Sequence, residues 1–147
     1  MQAATQNPDD THVKVLPFHP DTLEEEITGN IVRIMLKFVV LRVQIQTPDL
    51  IIACETERSF LRQQISSLRV EAFRAQKKAR SLGINAIYDD RLLRREGTRI
   101  AYFLARDAKN QARFIEEQVI SISVKKALYD IDDDHIPIDY DFDLIAA

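Results

Sequence analysis

The sequence predicts an all-α protein built on a long antiparallel helical hairpin of coiled-coil type. A third apolar helix and extended N- and C-terminal segments complete the predicted architecture. Two long stretches carry apolar residues at alternating spacings of three and four, the heptad pattern of packed helices. Only three glycines and five prolines occur among 147 residues, so few positions interrupt regular structure. The predicted organisation is an N-terminal segment over residues 1–20, a helical bundle over 21–129 and an acidic tail over 130–147.

The first part of the chain predicts an extended segment followed by a helix. Residues 12–20 contain two prolines, which exclude a helix there and favour an extended, anchored segment. Asp21 is the predicted helix cap, with Glu24 three residues later in the spacing of a capping box. The helix is expected to run to about Gln46 with a narrow polar strip, so most of its sides are buried. That apolar surface serves either the bundle or a partner chain.

Two further long helices follow. The second is expected to start at Thr47-Pro48 and to end at Gly83, a residue suited to the left-handed conformation that ends helices. A short helix is expected over residues 85–96, with Gly97 as its end. The last long helix is expected over residues 99–129. The stripe of the second helix comprises Ile51, Cys54, Leu61, Ile65, Leu68, Ala72, Ala75, Ala79 and Leu82. The stripe of the last helix comprises Ala101, Ala105, Ala108, Ala112, Ile115, Val119 and Ile122.

The two stripes predict the hairpin because their residues match in size. A turn near Arg91 and Leu92 places Ala75 opposite Ala108, and it places Ile65 opposite Val119. Small side chains then face each other near the turn and large ones near the open end, which allows a close helix packing. The competing interpretation is a parallel dimer, in which residues 51–82 pair with the same residues of a second copy.

The acidic tail carries a pattern typical of a strand. Apolar residues alternate with aspartate or proline over nine positions, so an extended chain has one apolar face. These apolar residues, predicted to bind a partner, are Ile136, Ile138, Tyr140, Phe142 and Leu144. The tail could pair with residues 13–18, or it could add to a sheet edge or lie in a groove on another protein.

Positive charge is concentrated in the middle of the chain. Residues 77–113 hold ten Lys or Arg and four Asp or Glu, whereas residues 114–147 hold two and nine. In the predicted hairpin the basic residues surround the turn, where they could bind a phosphate backbone. The candidate nucleic-acid-binding residues are Lys77, Lys78, Arg80, Arg91, Arg94, Arg95, Arg99 and Arg106. The alternatives are a solvated tip and neutralisation by the acidic tail of a neighbour.

Motifs for catalysis or cofactor binding do not occur in the sequence. No nucleotide-binding loop, nucleophile motif or Cys/His metal spacing is present. His12, His19 and His135, together with the aspartates near His135, leave a metal-dependent enzyme as a minor alternative. The expectation is therefore no enzyme activity, no cofactor and no metal.

Composition also predicts where the protein works. The single cysteine, Cys54, excludes an intrachain disulfide and fits a reducing, cytoplasmic compartment. The polar N-terminus shows no signal peptide, and charged residues interrupt every stretch long enough to span a membrane. The predicted function is a non-catalytic assembly or adaptor subunit that works through protein–protein contacts and self-association. It would act as a homo-oligomer or as part of a larger assembly. The alternative is a nucleic-acid-binding protein that uses the basic tip.

Overall fold

The computed structural model describes residues 16–47, 50, 55–85 and 88–129, and this part of the chain is helical and contains no strand. The predicted all-α class is confirmed. The four helices are α1 (Leu23–Gln46), α2 (Glu55–Ser81), α3 (Asp90–Ala105) and α4 (Lys109–Tyr129). None of them combines the length and the apolar composition that crossing a membrane requires. The predicted strand-like tail and residues 1–15 lie outside the described residues.

Helix α1 is the centre of the fold, because it packs against each of the other three helices. Its apolar side chains enter the main core between α1, α3 and α4, where Leu36, Leu93 and Ile120 are almost completely buried. The expectation that the first helix is buried on most sides is thereby confirmed. A second, smaller cluster joins Ile31 of α1 to Ala79 of α2.

Helix α2 packs on α1 alone. Within the described helices, no Cα atom of α2 lies within 8 Å of a Cα atom of α3 or α4. The two helices run antiparallel, since Ile31 early in α1 clusters with Ala79 late in α2, whereas Phe38 lies beside Arg69. The first antiparallel pair in the chain is therefore α1 with α2.

The predicted pairing of the second helix with the last one is wrong. Leu68 and Ala79 are buried, so the apolar stripe of α2 does face a neighbour, but that neighbour is α1. The expected contact between Ile65 and Val119 does not form, because α2 and α4 do not touch. A heptad pattern identifies which face of a helix is buried but not which helix covers it. Helix α1, apolar on most sides and adjacent along the chain, covers this face.

The predicted last helix is two helices. Helix α3 begins after Asp89, whose carboxylate accepts hydrogen bonds from the backbone N–H groups of Arg91 and Leu92. It ends at a turn where Asp107 adopts a left-handed conformation, with φ 58°. Aspartate tolerates this conformation better than most residues. The chain therefore reverses after Ala105 rather than near Arg91, and α3 and α4 form a second antiparallel pair.

The two glycines expected to end helices behave differently. Gly83 follows α2 with φ 73° and ends it as predicted. Gly97 lies inside α3, where a Cβ atom would come 2.6 Å from Cγ1 of Val39. The absence of a side chain at Gly97 therefore lets α3 approach α1 closely, and the prediction of a helix end there is wrong.

The ends of α1 also differ from expectation. Thr22, not Asp21, caps the helix, since its hydroxyl accepts a hydrogen bond from the Glu25 N–H at 3.1 Å. Thr47 ends α1 through a bond from its N–H to the Val43 carbonyl, so it does not start α2. Helix α2 begins at Glu55, and Cys54 lies outside the described residues.

The described part of the N-terminal segment, residues 16–20, is non-helical and anchored, as expected. The Phe18 N–H donates to Oε2 of Glu117 on α4, at 3.1 Å. The Phe18 ring lies directly over Gly29, where any side chain would collide with it. Arg33 bonds the same Glu117 carboxylate, so the segment is fastened across α1 and α4.

Candidate interaction surface

Helix α2 exposes large apolar side chains, because among the described helices only α1 covers it. Phe60, Val70 and Phe73 expose 57%, 49% and 61% of their surface. Most isolated apolar side chains on a surface need no explanation, but several on one helix are typical of helices that bind a partner. These three residues belong to a helix of 27 residues in which Leu68 and Ala79 are the buried residues among those described.

A second stripe runs along α2 on the side opposite the buried Leu68 and Ala79, and two of its residues, Gln63 and Phe73, also line hollows that α1 borders. Its residues follow each other at spacings of four and three, and all of them are exposed and uncharged. This outer stripe consists of Ser59, Gln63, Ser66, Val70 and Phe73. Alternating spacings of this kind place residues on one face of a helix, where a second helix can pack. The spacing of this stripe is readable in the sequence, but serine and glutamine weaken its apolar signal, so apolar periodicity alone does not reveal it.

Two hollows lie on opposite sides of the line where α2 meets α1. The first has a volume of about 370 Å³ and is lined by residues that include Lys37, Leu41, Phe60 and Glu71. The second has a volume of about 220 Å³ and is lined by Met35, Phe38, Leu68, Arg69, Ala72, Phe73 and Gln76. The first hollow carries both signs of charge, whereas Arg69 is the charged residue that lines the second.

The second hollow continues toward the end of α2. A third hollow of about 150 Å³ shares Gln76 with it and is lined further by Ile31, Ala79, Arg80, Ile84 and Asn85. The second and third hollows together are named the basic groove. The guanidinium groups of Arg42 and Arg69 lie 5.7 and 5.6 Å from the centre of the Phe38 ring, within the range of cation–π attraction.

Arginines follow the basic groove along α2. Arg62 and Arg69 are separated by seven residues, so they lie on the same side of the helix, and Arg80 lines the far end of the groove. Glu71, the acidic residue between Arg62 and Arg80, lies on the opposite side, in the first hollow. One side of α2 is therefore basic over about five turns.

Six of the predicted nucleic-acid-binding residues are exposed at two helix ends that follow each other in the chain. Three exposed cations belong to the end of α2 and three to the start of α3, joined by residues 82–89. The six residues are Lys77, Lys78, Arg80, Arg91, Arg94 and Arg95. Two of them are paired, because Arg94 binds Asp90 at 2.8 Å and Arg95 binds Glu96 at 2.8 Å. The remaining positive charge is thus smaller than the sequence count suggests.

The other two predicted residues lie elsewhere. Arg99 is buried, and its Nη1 lies 3.1 Å from Oε1 of the fully buried Glu96. Arg106 caps the opposite end of α3, about 24 Å along a 16-residue helix. Both were placed at the basic tip because a turn was expected near Arg91. Neither belongs to the surface that the other six form.

Ion pairs elsewhere join helices rather than form a reactive site. Arg33 binds Glu116 and Glu117, both at 3.2 Å. Burial raises the pKa of Glu116 against the opposing effect of Arg33. Lys126 binds Asp89 at 2.8 Å and lowers the pKa of that carboxylate. The described part of the chain contains no group of three or more side chains able to hold a metal ion.

These features define an all-α protein with a central helix and one half-exposed helical arm. No protein-family model, curated protein or solved structure matches the chain. The predicted partner-binding residues of the tail, 136–144, lie outside the described residues.

Proposed function

We propose that this protein is a non-catalytic assembly or adaptor subunit that self-associates through the outer stripe of α2. The observation that carries the proposal is that, among the described helices, α2 packs on α1 alone, which leaves Val70 and Phe73 of the stripe exposed. Burying such a surface removes apolar area from water and favours association by about 25 cal/mol per Å². A second copy of the same helix is the partner that fits the stripe best.

The stripe is self-complementary when two α2 helices pack antiparallel. With a two-fold axis at Ser66, the bulky Phe73 of one copy meets the small Ser59 of the other. Val70 then lies near Gln63, and Ser66 lies near its own counterpart. This isologous arrangement is the common form of homodimer contact. The stripe is uncharged, although α2 as a whole carries seven basic and three acidic residues. Two copies can therefore pack along the stripe without bringing like charges of the stripe together.

Light scattering tests the self-association. The wild-type protein is expected to show a mass above its 17.0 kDa chain mass, rising with concentration toward twice that value. Ser66→Glu places two like charges at the two-fold axis and should return the protein to the mass of one chain. Gln64→Glu is the matched control, since Gln64 is exposed on the same helix but does not belong to the outer stripe. Equal masses for all three proteins would rule out the outer stripe as the contact.

A second candidate function is binding of a nucleic-acid backbone. The observation that favours it is that six exposed cations lie at the end of α2 and the start of α3, which follow each other closely along the chain. Binding through phosphates weakens steeply as salt rises, because each contact releases counterions. Arg99 and Arg106 do not take part in this version of the proposal.

Gel-shift titrations test the second candidate. Lys77→Glu with Lys78→Glu should abolish retention of duplex DNA or RNA at low salt. Lys109→Glu with Arg113→Glu makes the same change in charge at two exposed positions of α4 and should leave retention intact. If the wild-type protein retains neither nucleic acid, or if both double variants lose binding equally, the cations at the end of α2 and the start of α3 do not form a nucleic-acid site.

A further inference from the structure

We propose that the basic groove between α1 and α2 is the docking site of this chain's own acidic tail, residues 136–144. This site is distinct from the outer stripe, with which it shares only Phe73 at its edge. Docking of the tail would cover one side of α2 and leave the stripe, apart from Phe73 at the shared edge, free for a second copy. The proposal therefore goes beyond self-association and does not depend on it.

The groove offers an apolar floor with a basic margin. Met35, Phe38 and Ala72 form part of the floor, and all three are partly buried. Arg69 and Arg80 line the groove with long side chains that can rise beside a bound chain. An extended peptide with apolar residues on one face and carboxylates on the other satisfies both features.

The tail has this composition. Residues 130–147 contain seven aspartates and no lysine or arginine. Ile138, Tyr140 and Phe142 alternate with aspartates 139, 141 and 143, so an extended conformation separates apolar from acidic side chains. The apolar residues would lie on the groove floor, and the aspartates would lie near the arginine side chains.

The geometry favours the tail of the same molecule. Helix α4 ends at Tyr129, whose hydroxyl donates to Oε2 of Glu25 at 2.6 Å. The tail therefore leaves the bundle beside the start of α1. Ile31, which lines the near end of the groove, is six helical residues or about 9 Å further along α1. The six residues that precede Ile136 can span about 20 Å.

The lengths of groove and segment also agree. The groove arginines, Arg69 and Arg80, are 11 helical residues or about 17 Å apart. Five residues in an extended conformation, such as those from Ile138 to Phe142, also cover about 17 Å. Because the tail is attached within reach, its effective concentration at the groove is in the millimolar range, which favours it over a second copy. A phosphate backbone would suit the arginines but would leave the apolar floor uncovered.

Paramagnetic relaxation in the full-length protein tests the proposal. A spin label is attached at Ala146→Cys in a Cys54→Ser background, and the amide signals of the labelled chain are followed by NMR. We expect selective loss of signal for α2 residues near Arg62 and Arg69, and sharp signals at the turn near Asp107. Raising the salt to about 0.5 M should restore the α2 signals, because exposed charges are screened.

Matched variants identify the groove. Arg69→Glu with Arg80→Glu should abolish the relaxation effect, whereas Arg74→Glu with Lys78→Glu, also on α2, should preserve it. Circular dichroism checks that both variants are folded. If the first is unfolded, Asp139→Asn, Asp141→Asn and Asp143→Asn together provide the same test from the tail and should likewise abolish the effect.

A mixed sample separates the two possible sources of the tail. Isotope-labelled protein without a spin label is combined with spin-labelled protein without isotopes, and no relaxation of α2 signals is expected. Relaxation in this sample equal to that within one molecule would overturn docking in cis. Absence of relaxation in the spin-labelled chain itself would overturn the proposal. If the protein retains a nucleic acid, and only the substitutions at Arg69 and Arg80 abolish that retention, the groove binds nucleic acid instead of the tail. None of these outcomes changes the light-scattering mass by which self-association is judged.

Discussion

Gly97 of α3 lies against Val39 of α1, so closely that a Cβ atom at Gly97 would come within 2.6 Å of Cγ1 of Val39 and 3.2 Å of its Cβ. Real Cβ atoms do not approach other carbon atoms at the shorter distance. Valine is also stiff, because its side chain has one strongly preferred rotamer in a helix. The distance between α1 and α3 therefore depends on a glycine in the middle of α3.

Gly97→Ala is expected to destabilise the protein by up to about 2 kcal/mol. Alanine is the better helix former by about 1 kcal/mol, but overpacking of a core contact costs about 1–3 kcal/mol or more. Urea unfolding followed by circular dichroism measures the change. Adding Val39→Ala makes room for the new methyl group, so the double variant should be no less stable than Val39→Ala alone. If Gly97→Ala were as stable as the wild type, α1 and α3 would be able to move apart without a cost in stability.

Asp107 is the residue that separates α3 from α4. Its φ of 58° suits glycine, and a β-branched residue is strongly disfavoured there. Asp107→Gly should therefore leave the free energy of unfolding unchanged or raise it by up to about 1 kcal/mol, and Asp107→Val should lower it by about 1–2 kcal/mol. Urea unfolding of the two variants makes the comparison. Equal stabilities would mean that the turn does not require this backbone conformation.

Asp107 and Gly97 also show what the sequence could and could not predict. Apolar periodicity predicted the buried faces of α1 and α2, because burial requires apolar residues at helical spacing. It passed over the turn at Asp107, because one left-handed residue barely disturbs the pattern of alanines around it. It also misjudged Gly97, since a glycine that ends a helix and a glycine that admits a neighbouring helix look the same in one sequence.

The candidate site was predictable only in part. The basic residues near the ends of α2 and α3 are close in sequence, so their proximity followed from the chain itself. The outer stripe of α2 depends on a different fact, that α4 does not cover this helix. Several helices have an apolar face that could pack on α1, and the competition among them decides which helices pair. The spacing of apolar residues within one helix carries no information about that competition.

The ion pair between Lys126 and Asp89 predicts a dependence of stability on acid. The hydrogen bond from Lys126 is the main cause of the lowered pKa of Asp89. A carboxyl group with a lowered pKa in the folded state stabilises the protein above its unfolded pKa of about 3.9. That contribution is lost as the pH falls below this value and through the lowered folded-state pKa.

Lys126→Met should therefore lower the free energy of unfolding at neutral pH. It should also make that free energy fall less steeply as the pH is lowered below about 4. Urea unfolding at several pH values measures both effects. Lys125→Met is the control, since Lys125 is exposed and adjacent but does not bind Asp89. A parallel decrease in all three proteins would show that Asp89 contributes nothing to the acid dependence.

Glu116 predicts an effect of opposite sign. Burial is the main cause of its raised pKa, and the charge of Glu117 adds to it, whereas Arg33 opposes both. A carboxyl group with a raised pKa favours the folded state most when it is protonated, below its unfolded pKa of about 4.3. The contribution disappears as the pH rises through the higher folded-state value.

Glu116→Gln keeps the shape of the side chain and removes the charge, while Arg33 retains its bonds to Glu117. The variant should therefore unfold at a higher urea concentration than the wild type near pH 7, and at a similar concentration at about pH 3, where both side chains are neutral. The comparison needs only unfolding curves at these two conditions. A lower midpoint at neutral pH would mean that attraction to Arg33 outweighs the cost of burying the Glu116 carboxylate.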